Sequence, residues 1–562
     1  MSDKENDAHH VVTVNVADPT ALRMLGRRGL DLFSATARRT ATGAAIEGRL
    51  SEREIAGLRQ DGHEVEVHPG VDTPPLPIAP DTEGLRLADG QAAVPAGYSD
   101  SSQLYQRLRI YADALPGAAS VIELPERSVQ GTKIPVLRFR RGTRTDRPGV
   151  LLLGGVHARE LMNPEILDNW MFRMAYAIEA QTSVNYQGSQ YGYSTISLLI
   201  DSLDIFVVPL VNPDGHDYVM AAESQRWWRK NRAPLPVDLN RNYDFLFDSG
   251  IGTSTDPNSE VYRGSAAFSE PETRNIRWLL DTFPHITAAL DLHSYSELIL
   301  YPWGDDDDQT TDPAQNFRVP NADRGIPNDG RYREYIPAGD LNWFVRTGNR
   351  MRDAISKARG RAYTVQQSVG LYPTTGTVDD YAFSRHFVNP ALKDVRLICV
   401  ETGIAPPPGG DVLAAFQPPG EELRRVRDDV GPALMEFLIE VMCPTGSDAQ
   451  VLSAAQSVLE RHLPGTGDAR ALHDGLVAQG PAILRALGEN PRARVQATTA
   501  LKRLIAVSEK DHDPVLAKDV TDKLAEAATS VAAVLPDSGD LLHAFAKLTK
   551  EAEGTRLSAL LA

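Results

Sequence analysis

His157 and Glu160 close the apolar run Val150-Leu-Leu-Leu-Gly-Gly-Val-His-Ala-Arg-Glu160, and their His-x-x-Glu spacing can offer two ligands to one zinc ion. With 13 His and 75 acidic residues in the chain, about one such pair arises by chance, so the setting has to decide. His63 and Glu66 share the spacing, but the alternating text around them reads as a strand, whose odd offset sends the two side chains to opposite faces. At His157 the strand-like run instead stops at Gly154-Gly155, and beyond that break both side chains can turn toward one point. A catalytic zinc takes three protein ligands and keeps one position for water, and two His plus one Glu form a standard set. His293, which ends the apolar run Ile286 to Leu292, is the candidate third ligand. Zinc-bound water yields a nucleophile near neutral pH when a carboxylate takes its proton. Glu401, which ends the run Val395 to Val400, is the candidate base; its bland alternative is a buried carboxylate held by backbone donors.

Two arginine-bearing segments lie between the first ligand pair and His293: Trp227-Trp-Arg-Lys-Asn-Arg232 and Val237-Asp-Leu-Asn-Arg-Asn242. One such cluster is more often a solvated face. Two in one site mean anion handling, because one guanidinium can hold a carboxylate through parallel bonds while another stabilises the oxyanion formed when water attacks a carbonyl. Together these tasks describe hydrolysis of a bond beside a free C-terminal carboxylate.

The elements that must bring these groups together are readable from pattern. The chain of 562 residues suggests about two to four domains with ample core-forming residues. Residues 1–68 read as a small α/β unit: Val11 to Val16 alternates as a strand, Asp18-Pro19 starts a helix, and Ser51 with Glu54 has capping-box spacing ahead of Ile55 and Leu58. Pro69, Pro74, Pro75, Pro77 and Pro80 mark a linker, 69–97. From 98 to 445, helical stretches alternate with short apolar runs, which is an α/β pattern with a largely buried sheet. In such sheets ligands gather beyond the carboxyl ends of the strands, where His157, His293 and Glu401 all fall. Residues 446–562 are Ala- and Leu-rich; Val451, Leu452, Ala455, Val458 and Leu459 keep helical spacing, and Asp513-Pro514 caps a helix carrying Leu516, Val520, Leu524 and Val531. This reads as a helical domain of about 110 residues whose stripes form its own core, with an unidentified protein partner as the second reading.

Composition excludes several classes. A net charge of −17 argues against non-specific nucleic-acid or anionic-membrane binding. The basic stretch Arg138 to Arg147 reads as a solvated loop, and the acidic run Asp305 to Asp308 as a solvated loop with calcium binding as its alternative. With Cys399 and Cys443 alone, a disulfide framework is not expected. No stretch is long and apolar enough to span a membrane, and the polar start lacks a classical signal peptide, so the expectation is cytoplasmic by default, with non-classical export as the alternative.

The chain resembles zinc metallocarboxypeptidases of the carboxypeptidase A/B type through His157-Ala-Arg-Glu160, Asn212-Pro-Asp-Gly215, Trp228-Arg-Lys-Asn-Arg232, Asp238-Leu-Asn-Arg-Asn242, Tyr262-Arg-Gly264, Ala267-Phe-Ser-Glu-Pro-Glu-Thr273, Leu292-His-Ser-Tyr295, Leu371-Tyr-Pro373 and Val400-Glu-Thr-Gly403, all in the family's order. The resemblance covers residues 98 to 445 and implies a twisted mixed sheet of about eight strands with helices on both faces. It implies one zinc per chain held by His157, Glu160 and His293, Glu401 as general base and Arg229 as the oxyanion-stabilising arginine. Asn240 and Arg241 resemble the pair that clamps the substrate's carboxylate, Arg159 and Tyr372 resemble groups contacting the peptide, and Asp238 resembles a carboxylate orienting a ligand histidine. Leu300, Gly304 and the segment after Tyr372 resemble the pocket for the C-terminal side chain. Gly304 and Val378 imply an apolar-to-neutral preference, whereas Asp379 in the deciding position would favour Lys or Arg. Residues 1–67 resemble a pro-domain that packs over the site, although that implies a signal peptide, which the chain does not show. The expected substrates are peptide or protein C-termini. The alternatives are a related zinc hydrolase of acylated amino acids or cell-wall peptides, which Asn240-Arg241 argues against, and a binding or assembly protein built on the peptidase fold.

Overall fold

A computed structural model describes residues 8–68 and 97–442 apart from 18, 144–146, 307–309, 311, 327–328 and 408–409, together with 76, 78, 516–532 and a few single tail positions. Five features read from sequence lie outside the described residues: the five linker prolines, Cys443, the 451–459 stripe, the Asp513-Pro514 cap and Asp307-Asp308.

The N-terminal unit is built from β1 (His9–Val16), α1 (Pro19–Arg27), β2 (Leu32–Thr40), β3 (Gly43–Ser51), α2 (Glu52–Gln60) and β4 (Glu64–Val67). Its sheet has the order β2-β3-β1-β4, antiparallel throughout. Val12, Val14 and Val16 pack with Leu25, Ile46, Leu50, Ile55 and Leu58, so alternation on β1 and the helical spacing of α2 meet in one core. Ser51 and Glu54 form the reciprocal capping box. Strands β2 and β3 were not legible, because their Ala- and Arg-rich text alternates poorly; a two-residue turn and the ladder onto β1 supply what propensity does not.

The larger unit follows: α3 (Ser101–Ala114), β5 (Ala119–Glu123), β6 (Pro135–Phe139), β7 (Gly149–Gly154), α4 (Met162–Ala180), the hairpin β8 (Val184–Tyr186) and β9 (Ser189–Tyr191), α5 (Tyr193–Ser202), β10 (Asp204–Val208) and α6 (Pro213–Ala221). Next come α7 (Pro271–Thr282), β11 (Ile286–Ser294), β12 (Leu298–Tyr301), α8 (Ala338–Arg359), β13 (Thr364–Gln367), α9 (Val378–Val388), β14 (Arg396–Thr402), α10 (Val412–Phe416) and α11 (Gly420–Met442). Eight strands form a mixed sheet in the order β13-β12-β14-β11-β7-β10-β6-β5. Every residue of β7 and β10 is buried, so both faces of the sheet centre are covered.

The three apolar runs become β7, β11 and β14, which are adjacent and parallel. Their carboxyl ends therefore coincide: Leu292 is in register with Gly154, and His293 with Glu401. This pairing converts three distant sequence positions into one site.

Two loop expectations change. Arg138 and Arg140 pair with Asp204, Arg141 pairs with Asp201, and Arg147 is buried against the carbonyls of Ile200 and Leu203, so acids and carbonyls across the loop, not solvent, take this basic stretch. Asp305 and Asp306 are buried, and Asp305 lies 3.1 Å from Arg324. In the tail, α12 (Lys518–Ala532) buries Val520, Leu524 and Val531. Among the described residues no helix is long and apolar enough to cross a membrane.

Candidate active site

Beyond β7 the chain breaks at Gly154-Gly155 and delivers His157 and Glu160 toward the end of β11, which carries His293. His157 Nδ1 lies 2.7 Å from Glu160 Oε1 and 3.1 Å from His293 Nδ1, and His293 Nδ1 is 3.2 Å from Glu160 Oε2. The other ring nitrogens are taken: His157 Nε2 is 3.1 Å from Asp238 Oδ1, and His293 Nε2 is 2.8 Å from Asp291 Oδ2. With carboxylates on both Nε2 atoms, the two Nδ1 atoms and the Glu160 carboxylate converge on one point. That arrangement fits zinc, whose ligand histidines commonly give their second nitrogen to a carboxylate. Among the described residues these three make the one group of His, Cys, Asp or Glu able to hold a metal ion.

The electrostatics favour positive charge. Burial alone would lower the His293 pKa, but Asp291 and Glu160 raise it well above the usual range. Burial would raise Glu160, yet His157 and His293 hold it below the usual carboxylate range. Asp238 is likewise buried, and Arg229, His157 and Arg241 hold it well below. Glu401 behaves differently: burial and the Glu160 carboxylate push it up to about 8. It therefore holds a proton far more readily than Glu160 or Asp238.

Arg229 donates through Nε and Nη2 to Asp238 Oδ2 at 3.1 and 2.9 Å, so Asp238 holds His157 with one oxygen and this arginine with the other. His157, Arg159, Glu160, Arg229, Tyr372 and Glu401 line one chamber. Asn240 and Arg241 sit in a 3-10 turn beside it: Asn240 Oδ1 accepts from Val378 N at 2.9 Å, and Arg241 Nε donates to Gly252 O at 2.8 Å. Leu300, Gly304 and Val378 line neither this chamber nor the cavity next to it. Val378 packs in the main core, Gly304 N donates to the Asp380 carboxylate, and Leu300 pairs with Cys399 across β12 and β14. Asp379 is buried and accepts from Ser368 Oγ at 2.9 Å, with its charge felt at Cys399.

The N-terminal unit forms the roof. Asp31, Leu32, Phe33, Ser34 and Ala35 line the chamber, which retains a volume of about 40 Å³, room for water but not for a peptide. Asp31 accepts two bonds from Arg159, at 2.8 Å each. Phe33 stacks on Trp227 and meets Phe416 edge-on. Gly29, at φ +67°, lies so close to the 251–263 loop that a Cβ would come within 2.3 Å of Thr253 O. The His63 and Glu66 pair stays apart from this site: Glu66 is on β4, paired with Thr13, and His63 precedes the strand.

Sequence reasoning missed Asp31, Asp291, Asn163 and Thr402. Asp291 had a signal, since two residues before His293 on a strand is the same face. Asn163 and Thr402 are helix and strand residues that join the 157–160 and 401 segments: Thr402 Oγ1, with one proton to give, lies 2.7 Å from Asn163 Oδ1 and 2.9 Å from His293 O.

A mixed eight-stranded sheet that gathers two histidines and a glutamate able to hold one metal ion, with a second glutamate beside them, at the carboxyl ends of its strands is the arrangement of a mononuclear metal centre. Residues 104–430 match the family model described as zinc carboxypeptidase, and the chain belongs to that family, whose members use zinc. Carboxypeptidase B of Helicoverpa zea is 32% identical over 221 residues, covering 37% of this chain and 47% of the relative. Mouse carboxypeptidase A2 is 33% identical over 214 residues, with the same shares. The chain thus spans about half the length of these curated relatives. Two solved structures share the fold: carboxypeptidase A from Helicoverpa armigera (TM-score 0.53, 20% identity, 78% of this chain and 99% of that one) and thrombin activatable fibrinolysis inhibitor (TM-score 0.52, 17% identity, 77% and 98%).

Proposed function

We propose that the protein is a zinc carboxypeptidase that hydrolyses the last peptide bond of peptides or proteins. The observation that carries this reading is that His157, Glu160, Glu401 and Arg229 line one chamber, with His293 against the first two, 3.1 Å from His157 and 3.2 Å from Glu160. Zinc, when bound by the first three, supplies a Lewis acid that polarises the scissile carbonyl and acidifies water. Glu401 takes the proton of the attacking water and passes it to the leaving amine. Arg229, kept charged by Asp238, stabilises the developing oxyanion. Asn240 and Arg241 hold the substrate's terminal carboxylate. A peptide with a free C-terminus should lose one residue per turnover, and the same peptide as its C-terminal amide should not; equal cleavage of the two would sink the reading.

For the departing residue, the reading is a basic preference in place of the apolar-to-neutral one suggested by Gly304 and Val378. Its support is that the Val378 side chain belongs to the main core, whereas Asp379, which like Val378 lines neither cavity, offers a buried carboxylate with a hydroxyl partner and, among the described residues, no ion-pair partner. A buried carboxylate of this kind favours a cationic side chain.

The N-terminal unit keeps the intact chain latent. The support for latency is the Asp31–Arg159 pair and the small volume left above the ligands.

A further inference from the structure

The segment Asn212-Pro-Asp-Gly215 takes no part in the chemistry above, yet it is buried beside it. Val211 N and Asn212 N donate to Gly154 O and Gly155 O at 3.0 Å each, so the strand exit of β10 runs along the start of the zinc-ligand loop. Both protons and the oxygen of the Asn212 carboxamide then go to fixed partners. Its Nδ2 donates to Val156 O and to Lys230 O, 3.2 Å each, and its Oδ1 accepts from Gly215 N at 3.0 Å. Val156 immediately precedes His157, and Lys230 immediately follows Arg229. The same two loops meet again where Ala158 N donates to Arg229 O at 2.9 Å.

The rest of the motif supports this junction. Pro213 opens α6, where its missing N–H costs nothing. Asp214 accepts from Ser128 Oγ and Gln130 N at 2.7 Å and from Thr132 Oγ1 at 3.1 Å, anchoring the segment to the loop between β5 and β6. Gly215 leaves the space the carboxamide needs: a Cβ there would sit 2.7 Å from Asn212 Nδ2 and 2.8 Å from Lys230 O. Two carbonyl oxygens must each receive a proton from one short, fully buried side chain, and among short side chains only the Asn amide carries two such protons.

We propose that Asn212 is a positioning residue that fixes Arg229 relative to the His157–Glu160 loop, and so sets where oxyanion stabilisation is delivered. The proposal rests on the reading of Arg229 as the oxyanion-stabilising group.

The test uses full-length protein cut within residues 69–97 and loaded with zinc. The variants are Asn212→Ala, Asn212→Asp, Gly215→Ala, Arg229→Ala and Asn212→Ala combined with Arg229→Ala. Asn212→Asp keeps the volume but turns acceptors toward both carbonyls. The readouts are kcat and KM on one peptide, zinc affinity by chelator competition, and melting temperature. Both Asn212 variants should keep KM and zinc affinity within about threefold of wild type and lose kcat by about 10- to 100-fold, the effect of a misplacement near 1 Å. The double variant should be slower than Arg229→Ala alone by no more than about threefold, because both changes remove one interaction. Unchanged kcat, or losses that multiply, would overturn the proposal. If the Asn212 variants do not fold, Gly215→Ala, which displaces the carboxamide without removing it, is combined with Arg229→Ala and read the same way. A wild type that shortens no peptide would refute the proposed function first, and the proposal with it.

Discussion

Asp31 and Arg159 form a buried, bidentate ion pair, Oδ1 with Nη2 and Oδ2 with Nη1 at 2.8 Å each, one residue before the ligand Glu160. It joins the N-terminal unit to a group read as contacting substrate. Removing one partner of such a pair strands the other charge, at a cost of about 3–5 kcal/mol. The intact chain should therefore hydrolyse long peptides at least about tenfold more slowly than protein cut within residues 69–97, and Asp31→Ala should narrow that gap. Equal rates for the intact and cut forms, measured on the same peptide, would count against latency.

Glu401→Gln keeps the size of the side chain but cannot accept a proton. It should lower kcat by about 10²- to 10⁴-fold while leaving melting temperature and zinc content near those of wild type. A variant that loses zinc as well would assign Glu401 a structural part instead.

Asp291 and Asp238 each hold a ligand imidazole by its Nε2 atom. Asp291→Asn and Asp238→Asn should each weaken zinc binding by about 10- to 100-fold in chelator competition. Because Asp291 and Glu160 raise the His293 pKa well above its usual range, the metal must displace a proton there. Zinc affinity should therefore rise with pH through the neutral range, and less steeply in Asp291→Asn. Affinity independent of pH would contradict this view of the site.

Burial pushes the Glu272 carboxyl up to about 7 from an ordinary 4.5, with Glu270 and Asp214 acting in the same direction. Its folded-state value lies above the unfolded one, so its favourable contribution is complete below about pH 4.5 and is lost as pH rises through about 7. The full swing is about 3 kcal/mol. Glu272→Gln, which mimics the protonated form, should leave the melting temperature at pH 5 nearly unchanged and raise it by about 2–6 °C at pH 8. The same shift at both pH values would refute the assignment.

Asp379→Asn tests the pocket. Wild type should release C-terminal Lys or Arg faster than Phe or Leu from matched peptides, and the variant should lose most of that advantage. Faster release of Phe or Leu by wild type would restore the apolar preference suggested by Val378.

The convergence of His157, His293 and Glu401 was legible because each follows an apolar run, and the three runs became neighbouring parallel strands with coincident ends. Asp31 was not legible, since its partner is 128 residues away and no local pattern marks the contact. Strands β2 and β3 were hidden for a different reason: their alternation is weak, and pairing to β1 decides them. Val378 and Asp379 differ by one position at the start of α9, where the direction of each side chain follows from the helix phase that the preceding turn sets.

The most direct test of the central claim is to incubate the protein, cut within residues 69–97, with a mixed peptide library, with and without chelator, and to read C-terminal shortening by mass. Loss of single C-terminal residues is predicted, abolished by chelation, restored by zinc and absent in Glu401→Gln. Shortening indifferent to both chelation and the Glu401→Gln change would contradict a zinc mechanism with Glu401 as its base.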